Sequence, residues 1–156
     1  MPLPHQAAPR GLPCDWYGDE AGLTGFTDPD NRRPYPWGKE DQELINYHKE
    51  LIALRKISPE FRLGSTKELS LEYNVLAYGR FTIDEQSIVI INNNDSEKEL
   101  NLKVADLGIP WEASAKRMIF TDENGFSVAH EIYPILNGYL KIKMPATSGM
   151  ILKVIK

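Results

Sequence analysis

Cysteine is almost missing from this chain: Cys14 is the only one, so no intrachain disulfide can form and no cysteine-rich metal site can be assembled. A basic excess is missing as well. Eighteen Lys+Arg stand against 22 Asp+Glu, for a net charge of -4 and a pI near 5.4, which leaves no electrostatic footprint for nucleic acid and no basic run for an anionic membrane. No apolar run approaches the ~20 residues that cross a bilayer, and the leading MPLPHQAAPR has neither a charged n-region nor an apolar h-region. A cytoplasmic protein is the expectation. Proline is scarce after residue 40, because seven of the 11 (Pro2, Pro4, Pro9, Pro13, Pro29, Pro34 and Pro36) fall before it. That excludes a long helix or a central strand from the first 40 residues and frees the rest for regular structure.

Hydrophobic residues make up 42% of the 156 residues, enough for a real core in one domain or one domain with an appendage. From about Lys39, Leu44, Tyr47, His48, Leu51 and Leu54 recur at three- and four-residue spacing, which predicts an amphipathic helix over about 40–57. Glu40, Asp41 and Glu43 at its start and Arg55-Lys56 at its end suit the helix dipole, and Ser58-Pro59 stops it. His48 on that stripe reads as a packed side chain. After Phe61 the period changes to two: NVLAYGRF, SIVIIN, Leu100 to Val104, Leu140 to Met144 and Met150 to Val154 read as short strands with one face buried. Asp84-Glu85, Asn92 to Asp95, Asp122 to Gly125 and Asn137-Gly138 carry hairpin-turn chemistry. The sum is seven or eight antiparallel strands from about Ser65 to Ile155, a β-sandwich with an irregular stretch at 106–115.

The stretch GLPCDWYGDEAGLTGFTDPDNRRPYPW, residues 11–37, crowds glycine, proline, aromatics and paired charges together. No core tolerates that mixture, so it must face solvent or a polar ligand; Leu12 to Tyr17 is its one candidate strand. Asp19 and Glu20 are adjacent and point to opposite sides of an extended chain, so they cannot flank one scissile bond. Asp28 and Asp30 could face one way, but Arg32 and Arg33 beside them neutralise the pair. Asp28-x-Asp30 opens like a calcium loop, yet Arg32 takes the next ligand position and no glycine-then-glutamate ending follows, so no metal site is expected. What remains is binding. Trp16, Tyr17, Phe26, Tyr35 and Trp37 beside Asp28, Arg32 and Arg33 supply rings to stack on a sugar face and polar groups to hold hydroxyls, or else a packed set of aromatics under a long loop.

Gly11-x-Pro13-x-x-x-Tyr17-Gly18-Asp19-Glu20 resembles the last barrel strand of the α-amylase family of glycoside hydrolases. Asp28-Pro29-Asp30-Asn31-Arg32 with Arg33-Pro34-x-Pro36-Trp37 resembles the loop that follows it. Neopullulanases, cyclomaltodextrinases and maltogenic amylases are the most similar members. The resemblance implies a Greek-key-type C-terminal sandwich preceded by a helix and by the end of a (β/α)8 barrel, with residues 1–60 as the barrel end and 61–156 as the sandwich. It implies that Asp28 and Arg32 contact a glucose unit, that Tyr17 and Glu20 shape the floor of the site, and that Trp37 anchors the loop. It also implies no cofactor.

The family's catalytic carboxylates find no match, since the chain has no Arg-x-Asp segment, no corresponding glutamate strand and no Asn-His-Asp motif. A barrel takes ~250 residues, and Asp15 stands where the family carries an apolar residue. The expectation is a C-terminal fragment of an α-glucan-processing hydrolase, inactive alone. The alternative is a non-catalytic module that binds α-glucan or packs on a partner. Expected partners are therefore an α-glucan or maltooligosaccharide, weakly held or lost, with self-association as a further option.

Overall fold

Asp41 starts the first α-helix among the described residues by accepting a 2.9 Å hydrogen bond from the Leu44 amide, and helix α1 follows over Gln42–Ile57. The computed structural model describes residues 17–155, so Cys14, Asp15, Trp16 and most of the expected Leu12–Tyr17 strand lie outside the described residues. A short helix α2, Pro59–Leu63, begins at the proline that ends α1, as the ring's fixed φ allows at a first helical position. It straddles the boundary expected between residues 60 and 61.

Nine strands follow: β1 (Ser65–Glu72), β2 (Val75–Phe81), β3 (Gln86–Asn92), β4 (Lys98–Lys103), β5 (Ala113–Asp122), β6 (Gly125–Ser127), β7 (Ile132–Leu136), β8 (Tyr139–Met144) and β9 (Ser148–Ile155). All pair antiparallel in one path, β1-β2-β3-β9-β5-β7-β8-β4, with β6 attached to β5. The path folds over on itself so that alternate residues share one interior. Ala77, Ile88, Ile90, Leu152 and Val154 from one half meet Leu100, Leu102, Ile135, Leu140, Ile142 and Met144 from the other. The two ends of the path approach closely. Lys67 of β1 and Lys103 of β4 both reach Asp106, at 3.4 and 3.2 Å, and a nearly closed sheet results.

The opposite face of β2-β3-β9-β5 belongs to the helix. Tyr47, Leu51 and Leu54 of α1, with Phe61 of α2, pack on Tyr78, Val89, Ile119 and Ile151, so the stripe seen at helical spacing finds its partner on the sheet. Each side chain buried this way contributes ~1.5–3 kcal/mol before chain entropy offsets it. One consequence departs from the one-buried-face reading: all seven residues of β3 are buried, Ile88 and Ile90 inside the sandwich and Val89 under the helix. His48 is packed, its Nδ1 2.9 Å from the Leu44 carbonyl.

The turns at 82–85, 122–125 and 137–138 join hydrogen-bonded neighbours, as their residues predict. Asn92 to Asp95 does not. β3 and β4 are not paired, so this segment carries the chain from one layer to the other. The reason lies in Asn92, whose Nδ2 donates to the Ser96 carbonyl at 2.9 Å and the Pro145 carbonyl at 2.6 Å and so holds a corner instead of a hairpin.

A polar cluster fixes α2 to the sheet. Glu60 is fully buried; its Oε1 accepts from Ser87 Oγ at 2.6 Å and Lys153 Nζ at 2.7 Å. Buried Arg80 donates to the carbonyls of Glu60, Phe61 and Gly64, closing the C-terminal end of α2.

Candidate functional site

The loop ahead of α1 is built from two tight turns. Gly18, at φ +81°, opens the first, a 3-10 turn over Asp19–Ala21 that only a residue without Cβ enters freely. Ala21 is buried, and its carbonyl accepts from the Asp41 amide at 3.2 Å, which ties the loop to the start of α1. The second 3-10 turn, Asp30–Arg32, follows Pro29 and folds the charged side chains back on one another.

Asp28 and Arg32, the expected sugar contacts, hold each other. Arg32 Nε donates to Asp28 Oδ1 at 2.8 Å and Nη2 to Oδ2 at 2.9 Å, a bidentate pair lying at the surface. Arg33 Nε and Nη2 both donate to the one oxygen Asp30 Oδ1. Each aspartate is thereby committed to its own arginine. Exposed pairs of this kind are worth ~0–1 kcal/mol, and a carboxylate keeps further lone pairs. A hydroxyl-bearing ligand can therefore share or displace them at little cost.

Three aromatic residues of the same loop form a row. Tyr17 and Tyr35 meet edge to face at 6.2 Å, and Tyr35 leans against Trp37 at 4.6 Å. Trp37 is 80% exposed and Phe26 87%, so these rings offer faces to solvent instead of filling a core. Glu20 stands beside Tyr35: partial desolvation first, then the charges of Glu20 and Glu40, push the Tyr35 hydroxyl above its ordinary value. Tyr17, Glu20, Asp28, Arg32 and Trp37 thus all lie in the described loop. Among the described residues no group of three or more His, Cys, Asp or Glu could hold a metal ion.

Sequence reasoning singled out neither Tyr35 as the hinge of the aromatic row nor the Glu60–Lys153 pair. The first was visible only as one of several rings. The second joins residues 93 apart, which no local pattern reveals.

These features define a class: an antiparallel β-domain of the amylase C-terminal type, carrying one helix and a polar loop ahead of it. The α-amylase from Geobacillus thermoleovorans, solved with acarbose, matches 98% of this chain with a TM-score of 0.82 at 22% identity, and the match takes 32% of that chain. The debranching enzyme from Nostoc punctiforme matches 96% of this chain with a TM-score of 0.73 at 29% identity, over 29% of its own length. In sequence, an amylopullulanase from Thermoanaerobacterium thermosulfurigenes is 31% identical over 153 residues, 91% of this chain. Cyclomaltodextrinases and a neopullulanase match as well. The chain's homologues are thus glycoside hydrolases of the α-amylase family, and what it shares with them is a C-terminal portion. It spans only 8–11% of the amylopullulanases. No protein-family model matches the chain.

Proposed function

We propose that this chain is the C-terminal part of an α-glucan-processing hydrolase, contributing the sandwich, the last helix and a substrate-gripping loop without the catalytic carboxylates. The observation that supports this best is continuity: one alignment with amylopullulanases covers 91% of the chain, loop, helix and sheet together. In this reading Asp28 and Arg32 exchange part of their mutual hydrogen bonding for sugar hydroxyls. The Tyr17–Tyr35–Trp37 row lines the approach and Glu20 shapes the floor. Hydrolysis of α-glucosidic bonds by a retaining route needs two carboxyl groups ~5–5.5 Å apart. Asp28 and Asp30 are each held by an arginine and do not supply that arrangement.

The pure chain is therefore expected to release no reducing sugar from pullulan, cyclodextrin or starch. Clear turnover, abolished by Asp28→Ala, would overturn the reading.

A second reading is a non-catalytic module that binds α-glucan, favoured by the exposure of Trp37 and Phe26. A saturable change in tryptophan fluorescence with maltotriose, lost in Trp37→Ala, separates it from an inert fragment. No described helix is long and apolar enough to cross a membrane, and a cytoplasmic location remains part of this proposal.

A further inference from the structure

The layer that α1 does not cover carries a surface feature outside the loop. On the outward side of β7, β8 and β4 lies an open depression of about 420 Å³ lined by Asn101, Pro134, Leu136, Asn137, Tyr139 and Lys141. Strand register builds it: Tyr139 stands opposite both Leu136 and Lys103, and Lys141 opposite Asn101. Trp111, 66% exposed, sets its ring against Gly138, between the lining residues Asn137 and Tyr139. The indole is held there by the backbone, because the Gly138 amide donates to the Trp111 carbonyl at 2.9 Å. Gly138 sits at φ +76°, and a Cβ there would lie 3.1 Å from the ring, so only glycine leaves room for this arrangement.

The chemistry of the lining selects its occupant. Two carboxamides both donate and accept, as hydroxyls do; Tyr139 and Leu136 offer apolar surface for a pyranose face; and no carboxylate lines the depression. The single cation, Lys141, donates only. Six lining residues fall far short of the roughly 20–30 a side that a stable protein interface uses, which disfavours a second protein and fits a short neutral ligand.

We propose that this depression is a second oligosaccharide-binding site, separate from the Asp28–Arg32 loop, taking a neutral α-glucan segment of one or a few sugars. The choice of α-glucan rests on the function proposed above, while the site rests on the β7-β8-β4 surface alone. Its effect would be to hold a polymer chain on the sandwich face opposite the helix.

Titrating the whole chain with maltotriose while following its amide resonances tests this. Saturable shifts at Asn101, Asn137, Tyr139 and Lys141 are expected. Affinity read at these resonances should fall about tenfold in Tyr139→Ala, the size of one lost stacking contact, should fall also in Asn101→Ala, and should be unchanged in Ile52→Ala on the exposed side of α1. Both substituted side chains are at the surface, and unchanged spectra elsewhere report an intact fold. Shifts confined to residues 17–37 would overturn this site and leave the proposed function standing; shifts confined to the depression would support it and count against the loop as a glucan contact. Equal shifts with glycerol, or shifts that follow protein concentration without sugar, would overturn it as general solvation or self-contact.

Discussion

Asp106 receives both Lys67 and Lys103, and the hydrogen bond from Lys103, opposed by slight desolvation and aided by Lys67, holds its carboxyl below the ordinary 3.8. A carboxyl whose folded value is depressed stabilises the fold above its unfolded value and loses that contribution as pH falls through the folded one. Thermal melts should therefore drop on acidification below 3.8, and Asp106→Asn should flatten that part of the profile; identical profiles would exclude a role for this seam. Glu60 is the harsher case. Removing it leaves Lys153 facing only Glu85 and strands the Ser87 hydroxyl. Because Lys153 keeps some solvent contact, Glu60→Ala should cost about 3 kcal/mol, the low end for breaking a buried pair, read as a lowered urea midpoint.

At the scale of elements, α1 is the piece whose removal would matter most. Leu51→Ala should destabilise by ~2–5 kcal/mol, because Leu51 is 3% exposed between helix and sheet, while the neighbouring exposed Ile52→Ala should change the denaturation midpoint little. Much of this was legible beforehand. The stripe from Leu44 to Leu54 predicted the helix because a 3.6-residue period needs only local sequence, and the structure places it at Gln42–Ile57. Three of the four turns were legible for the same reason. The fourth was not: Asn92 has hairpin chemistry, but its side chain bonds to Pro145 across the sandwich, and strand order is a long-range property that turn residues do not encode. β7 was hidden because Pro134 sits inside it; β8 pairs only with Ile135 and Leu136, so that side of the strand is open at the proline, where no ladder donor is needed. In the loop, the charges were legible as neutralising pairs, whereas which arginine takes which aspartate required the second 3-10 turn to bend the chain.

For the molecule as a whole, the sheet's two faces set different tasks. The interior face is sealed by the fold-over of the sheet itself, but among the described residues the outer face of β2-β3-β9-β5 is sealed chiefly by residues 42–63, with Phe126 beside them. The central strand beneath it reads Ser87-Ile88-Val89-Ile90-Ile91-Asn92, with four consecutive residues of high β-propensity, no charge and no proline. Such a segment, when bared, stacks readily with copies of itself into cross-β fibres. The helix is thus a solubility device as much as a packing element. A chain cut to residues 64–156 is expected to precipitate or bind thioflavin T at concentrations where the intact chain stays clear. Val89→Lys in the cut chain should restore clarity by placing a charge on the bared face.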